Sequence, residues 1–420
     1  MNLSRRRLLS RSGLAAAAFG LAPRAADAAD ETPAAIAALK PMADGVAPIT
    51  TEEHGARIAR AQALMADAGL DAVVLGPGTS LTYFTGARWG VSERLFAAVL
   101  PRQGAPAWVT PAFEKARALE QIKLGTDVRA WEEDESPYAL VASILRDAKA
   151  GGRVGVEETL DFMFVDGIGQ AAPGVRLVSA TPVTAGCRMI KDTHELALMR
   201  RACAITVAAH RAVFASLREG MSQGEAARLS TEAHRRLGMA GGALVLFGPD
   251  AAFPHGTEHP RPLQKGDAVL IDGGGRLHGY SSDITRTAVF GAPPTDRQRR
   301  LWEVVRRAQD AAFRAARPGV ECQALDAAAR AVIEDAGFGP GYARFTHRVG
   351  HGIGMDGHEW TYLVRGNATK LRPGMCFSDE PGIYIPGEIG VRHEDIIFIT
   401  EAGAENMTKW SGSPEDAAVL

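Results

Sequence analysis

The chain is predicted to fold as an α/β N-terminal domain followed by an α+β domain in which antiparallel hairpins are covered by helices. Three observations carry this. With 420 residues, 46% of them apolar and 23% charged, the chain is long enough for two full cores. Between about Ile49 and Ala185, short apolar runs alternate with amphipathic helical stretches, the pattern of an α/β layer. From Gly186 onward, long amphipathic helices alternate instead with paired strand-like runs joined by turn residues.

The order of elements begins with residues 1–28. A basic Ser4-Arg5-Arg6-Arg7 precedes the apolar run Leu14–Ala22 and the small-residue site Ala26-Asp27-Ala28, which together read as an export signal. The paired arginines followed by Leu8 and Leu9 resemble a twin-arginine signal, so the twin-arginine export machinery is an expected partner and the periplasm the expected compartment. The apolar run is too short for a permanent membrane span, so removal near Ala28 should leave a soluble protein. Residues 29–48, rich in Ala and Pro, read as a linker, with order beginning near Ile49. Residues 49–185 form the first domain. Its opening helix has two Thr and an acidic first turn, an apolar face of Ile58, Ala61, Leu64, Met65 and Ala68, and Gly69 at its end. Strands are expected at DAVVLGP, AAVLP, PAWVTP, RVGVEE and VRLVSAT, with helices at FEKARALEQIKL and YALVASILRDA. The second domain, 186–408, opens where Lys191 and Glu195 precede a helix with Leu198, Ala202, Ile205 and Ala209 on one face. Three further helices follow, with Gly220, Gly319 and Gly337 as helix-ending glycines and 409–420 as a tail.

A net charge of −2 offers no basic stripe for nucleic acid, and Arg297, Arg299 and Arg300 read as a solvated helix face. Cys187, Cys203, Cys322 and Cys376 show neither CxxC spacing nor a disulfide framework.

Chemistry concentrates in the last third. Asp272 in LIDGGG and Asp283 in SSDITRT flank a midpoint at Leu277-His278, so a tight hairpin there would set them opposite each other. Glu380 in SDEPGIY and Glu394 in VRHED flank Gly387 in the same way, with Pro386, Gly387 and Glu388 as the turn. A lone Asp in a Gly-rich turn is usually a turn former. Four carboxylates in register, with His351 in GHGIG between them, point instead to a two-metal site, because converging carboxylates repel unless cations balance them. Carboxylates with one imidazole suit Mn, Co, Fe or Zn; two divalent ions per chain are expected, and the residues alone leave their identity open.

These motifs, LIDGGG through SSDITRT, HRVGHGIGMDGHE, SDEPGIYIP and GVRHED, resemble the pita-bread metallopeptidases: aminopeptidase P, prolidase and methionine aminopeptidase. The likeness covers about 215 residues, from near Gly186 to near Glu401, and LGPGTSLTYFTGARWGVSERL is similar to the non-catalytic N-terminal domain of prolidase, aminopeptidase P and creatinase. The resemblance implies a pita-bread fold for the second domain and a creatinase/prolidase type for the first. It implies that Asp283 and Glu394 bridge the metals, that Asp272 chelates one, and that His351 and Glu380 complete the other. Glu380 is then also the expected general base beside a metal-bridging hydroxide. His255, His347 and His358 fall at family positions where imidazole donors would hold the substrate carbonyl and the oxyanion. Thr285 is expected to orient Asp283, and Arg392 to pair with an acid or dock a substrate carboxylate. The implied activity is hydrolysis of the Xaa-Pro bond of dipeptides or peptide N-termini by an exported homodimer, with the segment around Arg88 and Trp89 nearing the partner's pocket. A creatinase-like hydrolase, a metal-dependent lyase and a metal-free binding module are the alternatives.

Other motif matches fail on context. Gly352 to Gly357 satisfies GxGxxG without the flanking strand and helix of a phosphate site, and His358-Glu359 is followed by Tyr362 where a helical zinc protease needs His.

Overall fold

The computed structural model describes residues 32–415. The export signal therefore lies outside the described residues. Among those residues no helix is long and apolar enough to cross a membrane.

The first domain is built on a mixed six-stranded sheet. Across it run Asp127–Trp131, Ala107–Pro111, Ala97–Pro101, Ala72–Leu75, Arg153–Val156 and Arg176–Ser179. All four residues of the central strand, Ala72, Val73, Val74 and Leu75, are fully buried, which is why its sequence is continuously apolar rather than alternating. Helix Thr51–Ala68 packs Ile58, Ala61 and Met65 inward; Thr50 and Glu53 close a capping box, and Gly69 ends the helix at φ 64°. The edge strand Asp127–Trp131 is not evident from its sequence because Asp127 and Arg129 interrupt its pattern; Arg129 pairs with Asp127 and with Asp147 on the surface.

The second domain carries helices Thr193–Phe214, Gln223–Arg236, Asp296–Ala315 and Cys322–Ile333. They cover two sheets. One runs Ile284–Val289, Ala268–Leu277, Ala240–Phe247, with Tyr280–Ser281 closing the hairpin; the other runs Glu359–Leu363, Gly350–Gly352, Cys376–Asp379, Asp395–Thr400, Gly403–Asn406. A separate hairpin pairs Gly382–Ile385 with Ile389–Arg392. This is the α+β architecture expected from the alternation of helices and hairpins. A single bridge between Thr285 and Glu394 joins the first sheet to the second, and the candidate ligands gather around it.

Several expectations need correction. Residues 33–48 are not a free linker: Ala34–Ala37 form a short helix, Ile36 is fully buried in the second domain's core, and Leu39, Met42 and Val46 pack beside it. The C-terminal residues also pack down, with Arg306 3.5 Å from the Trp410 ring centroid and the Val289 amide donating to the Pro414 carbonyl at 2.9 Å. Gly220 and Gly319 have positive φ but lie beyond their helices, which end at Phe214 and Ala315, so they shape the following turns.

The buried histidines make stability depend on pH. His210 is fully buried against the Ile284 carbonyl, 2.9 Å from its Nε2, and burial together with nearby His234 pushes its pKa down to about 3. A neutral buried histidine binds no proton where the unfolded chain, near 6.5, does. Stability is therefore complete above about pH 6.5 and falls as the pH drops toward 3, by about 1.4 kcal/mol per unit for this residue. Urea unfolding at pH 7 and 5.5 should show that slope, and His210→Gln should make it shallower. An unchanged slope would remove His210 from the account.

Candidate metal centre

Local backbone geometry explains why the ligands converge. The first hairpin turns at His278 and Gly279, both left-handed at φ 49° and 96°, so the loop has two residues and matches the twist of its strands. That places the midpoint one residue later than the sequence spacing predicted. Asp272 consequently faces Thr285, and Asp283 lies in the irregular residue pair just before strand Ile284–Val289 instead of directly opposite Asp272. The second hairpin keeps the predicted register: Gly382 faces Arg392, Cys376 faces Phe398, and the turn is centred on Gly387 at φ 78°. Glu380 and Glu394 occupy the break between those two ladders. His351 comes from a short strand that lies between two others only because its neighbours are glycines. A Cβ on Gly350 would sit 2.0 Å from the Ser378 carbonyl oxygen, and one on Gly352 2.5 Å from that of Glu359.

All five predicted ligands line one pocket of about 160 Å³, together with His255, His347, Arg348, His358 and Arg392. Their donor atoms form overlapping groups within 4.8 Å: Asp272, Asp283 and Glu394 in one, His351, Glu380 and Glu394 in another, and Asp283, His351 and His358 in a third. A larger groove of about 940 Å³ runs between the domains past Trp360 but brings no such donors together.

The electrostatics show what the set lacks. Burial and then the neighbouring Asp272 push Asp283 up to about 7, and burial with Asp283 drives Glu394 well above the carboxylate range. Burial also opposes ionisation of Asp272 and Glu380. Arg392 nevertheless holds Asp272 below its ordinary value, and His351 pulls Glu380 down to about 2. Without added positive charge, two of the four carboxylates are thus driven toward protonation. The donor set, carboxylate oxygens and one imidazole, is that of a pair of hard to borderline divalent cations.

Supporting contacts fix these donors. The Thr285 hydroxyl oxygen lies 2.6 Å from Asp272 Oδ1 and 2.7 Å from Glu394 Oε2, so it orients those two carboxylates and not, as predicted, Asp283. Its single proton serves one of them at a time. Arg392 pairs with Asp272 and donates to the Tyr384 hydroxyl at 2.7 Å, so the acid-pairing role holds. His351 Nδ1 donates to the Gly352 carbonyl at 3.1 Å. In the metal-free site its Nε2 also carries a proton and donates to Glu380 at 3.2 Å, which, against the opposing effect of burial, raises the pKa of His351; a metal ion at Nε2 would take the place of that proton. Ser378 accepts from the His351 amide at 2.9 Å and donates to Glu380 at 3.0 Å.

The three further histidines differ. His358 is exposed at the mouth, its ring centroid 3.8 Å from that of His351. Its loop is clamped by the first domain and the connecting segment: Thr79 donates to Asp356 at 2.6 Å, Arg188 reaches both Asp356 and Glu359, and Lys191 holds Glu359 at 2.6 Å. His255 also lies exposed at the rim. His347 is fully engaged, Nδ1 with the Arg348 carbonyl at 2.8 Å and Nε2 with the Tyr384 hydroxyl at 2.7 Å. A carbonyl only accepts, so Nδ1 carries the proton and Nε2 accepts from tyrosine. His347 therefore has no N–H left for a substrate, against the role predicted for it, whereas His358 and His255 do.

Sequence reasoning missed Tyr384, Ser378 and Arg348. Tyr384 and Ser378 stand four residues after and two before Glu380, and Arg348 follows His347, so adjacency to the ligands was the available signal.

Comparison with known proteins supports the two-domain fold. Residues 197–401 match the model of metallopeptidase family M24, and residues 57–190 that of the creatinase/prolidase N-terminal domain. The chain is 41% identical over 362 residues to the probable dipeptidase PepE of Mycobacterium tuberculosis, covering 85% of this chain and 94% of that protein. It is 32% identical over 357 residues to the Xaa-Pro dipeptidase of Pyrococcus furiosus, covering 84% and 97%. The crystal structure of dipeptidase PepE from Mycobacterium ulcerans superposes with a TM-score of 0.81 at 38% identity, covering 88% of this chain and 99% of that one.

Proposed function

Because the chain belongs to metallopeptidase family M24 and carries the creatinase/prolidase N-terminal domain, we propose that it hydrolyses the Xaa-Pro bond of short peptides with two divalent metal ions, manganese first among them. The observation that carries the proposal is the convergence of Asp272, Asp283, His351, Glu380 and Glu394 on one small pocket. Two divalent ions held there would polarise a peptide carbonyl and acidify an attacking water.

The chain's own groups supply the remainder. Glu380, in the pocket with the two candidate metal positions, takes up the proton that water releases and returns it to the departing proline nitrogen. His358 and His255, with ring nitrogens open to the pocket, donate to the carbonyl oxygen as it gains charge. Arg392 and Thr285 hold Asp272 and Glu394 in place, so the ligand set needs little reorganisation.

The test is release of proline from Ala-Pro by protein loaded with Mn, beside Ala-Pro-Ala and Ala-Ala. Cleavage before proline supports the proposal; hydrolysis of Ala-Ala but of no proline substrate contradicts it.

The same proposal places the enzyme in the periplasm as a homodimer. The twin arginines motivate the first part, and Arg5→Lys with Arg6→Lys should leave unprocessed precursor in the cytoplasmic fraction. Normal processing of that variant would count against the export route. Light scattering tests the dimer, and a fully active monomer would contradict it.

A further inference from the structure

We propose that the strap of residues 407–415 is a positioning element of the metal centre, in which Thr408 and Trp410 hold the chain segments that carry Glu394 and Glu380; the inference rests on the two-metal reading above. A strand turns successive side chains to opposite faces, so the residue beside each of these ligands looks away from the pocket. Those residues are Asp379 and Asp395. They are cross-strand partners, both buried, on the side covered by helix Asp296–Ala315. Asp395 takes three donors: Arg286 at 2.6 Å, Gln309 Nε2 at 3.0 Å and the Thr408 hydroxyl. Arg286, itself fully buried, also donates to the carbonyls of Glu394 at 2.7 Å, Thr285 at 3.0 Å and Lys409 at 3.0 Å. One guanidinium therefore ties the strand of Thr285, the backbone of the ligand Glu394 and the strap together.

A second arm runs through Trp410. Its ring centroid lies 3.5 Å from the Arg306 guanidinium carbon, and its edge packs against Phe313. Arg306 donates to Gln309 Oε1, which turns Nε2 toward the Asp379 carbonyl, 3.1 Å away, as well as toward Asp395. Gln309 thus touches the residues next to both glutamates. The strap is pinned at its two ends, by the Met407 amide on the Ile396 carbonyl at 2.9 Å and by the Val289 amide on the Pro414 carbonyl at 2.9 Å. A buried ion pair such as Arg286 with Asp395 contributes little net stability over apolar packing, but it fixes register. Contacts that lie behind metal ligands hold the ligand geometry, and their loss costs about 10–100-fold in metal affinity or activity. The hydroxyl of Thr408 and the indole of Trp410 therefore act on the metals through Asp395 and Gln309, although neither residue lines the pocket.

The experiment uses the full chain with Thr408→Val, Thr408→Ser or Trp410→Leu. It reads the affinity of metal-free protein for Mn by calorimetry, beside thermal unfolding without metal. Thr408→Val and Trp410→Leu should each weaken Mn binding by about tenfold or more, whereas Thr408→Ser, which keeps the hydroxyl, should bind as the natural sequence does. Metal-free unfolding should shift little in Thr408→Val, because Asp395 keeps its other two donors. Undiminished Mn affinity in Thr408→Val overturns the proposal. So does a loss of affinity that Thr408→Ser shares, which would make the strap a packing element only. Should Trp410→Leu fail to fold, the threonine pair decides alone. Failure of the unaltered protein to cleave any proline substrate would count against the proposed reaction alone, since Mn affinity still decides the role of the strap.

Discussion

Asp283→Ala and Glu394→Ala are each expected to abolish hydrolysis, by on the order of a thousandfold or more, and to lose metal. Each of these carboxylates belongs to two of the donor groups in the pocket, so removing either one damages both candidate positions at once. The electrostatics supply a second signature. In the metal-free protein burial and Asp272 raise the pKa of Asp283, and burial and Asp283 raise that of Glu394, so deleting either one removes a buried carboxylate that its neighbours repel. The metal-free variants should therefore unfold at a temperature equal to or above that of the natural sequence. What they should lose is the stabilisation that added Mn confers, which follows from binding to the folded state alone. A variant that loses activity together with metal-free stability, yet keeps the Mn-induced shift, would mean that the residue is structural.

The second large effect is expected at His358. His358→Ala should lower kcat by about a hundredfold or more while both metals remain bound, because an oxyanion donor acts in the transition state more than in the ground state. The structure sharpens the test. His358 stacks on His351, and one of its nitrogens falls in a donor group with Asp283 and His351, so it is placed either to donate to substrate or to bind a metal. Metal content measured beside kcat separates these roles, and a parallel fall in both would assign His358 to the ligands. The clamp on its loop by Thr79, Arg188 and Lys191 explains how a solvent-facing imidazole keeps its place.

Much of this was legible in the sequence, for identifiable reasons. The Glu380 and Glu394 register followed from a turn whose glycine, Gly387, left one way to fold the hairpin. The Asp hairpin slipped by one residue because His278 adopts a left-handed conformation that residue type does not announce. The slip moved Thr285 opposite Asp272 and so changed which carboxylates it orients. The strands Ala240–Phe247 and Glu359–Leu363 were not visible either: the first carries two glycines, and the second interleaves charged and aromatic residues without a clean period. Ile36 was hidden in an Ala- and Pro-rich stretch whose composition reads as linker, though a single apolar side chain suffices to anchor it. The engagement of both His347 nitrogens depends on Tyr384 and the Arg348 carbonyl, contacts that spacing alone does not reveal.

The account turns on the claim that the pocket holds two cooperating metal ions. Its most direct test is a titration of metal-free protein with Mn, following bound metal per chain by mass spectrometry and proline release from Ala-Pro in the same samples. The structure leads us to expect activity that rises with occupancy and levels off at two ions per chain. Full activity at a stoichiometry firmly below one would contradict the two-metal site.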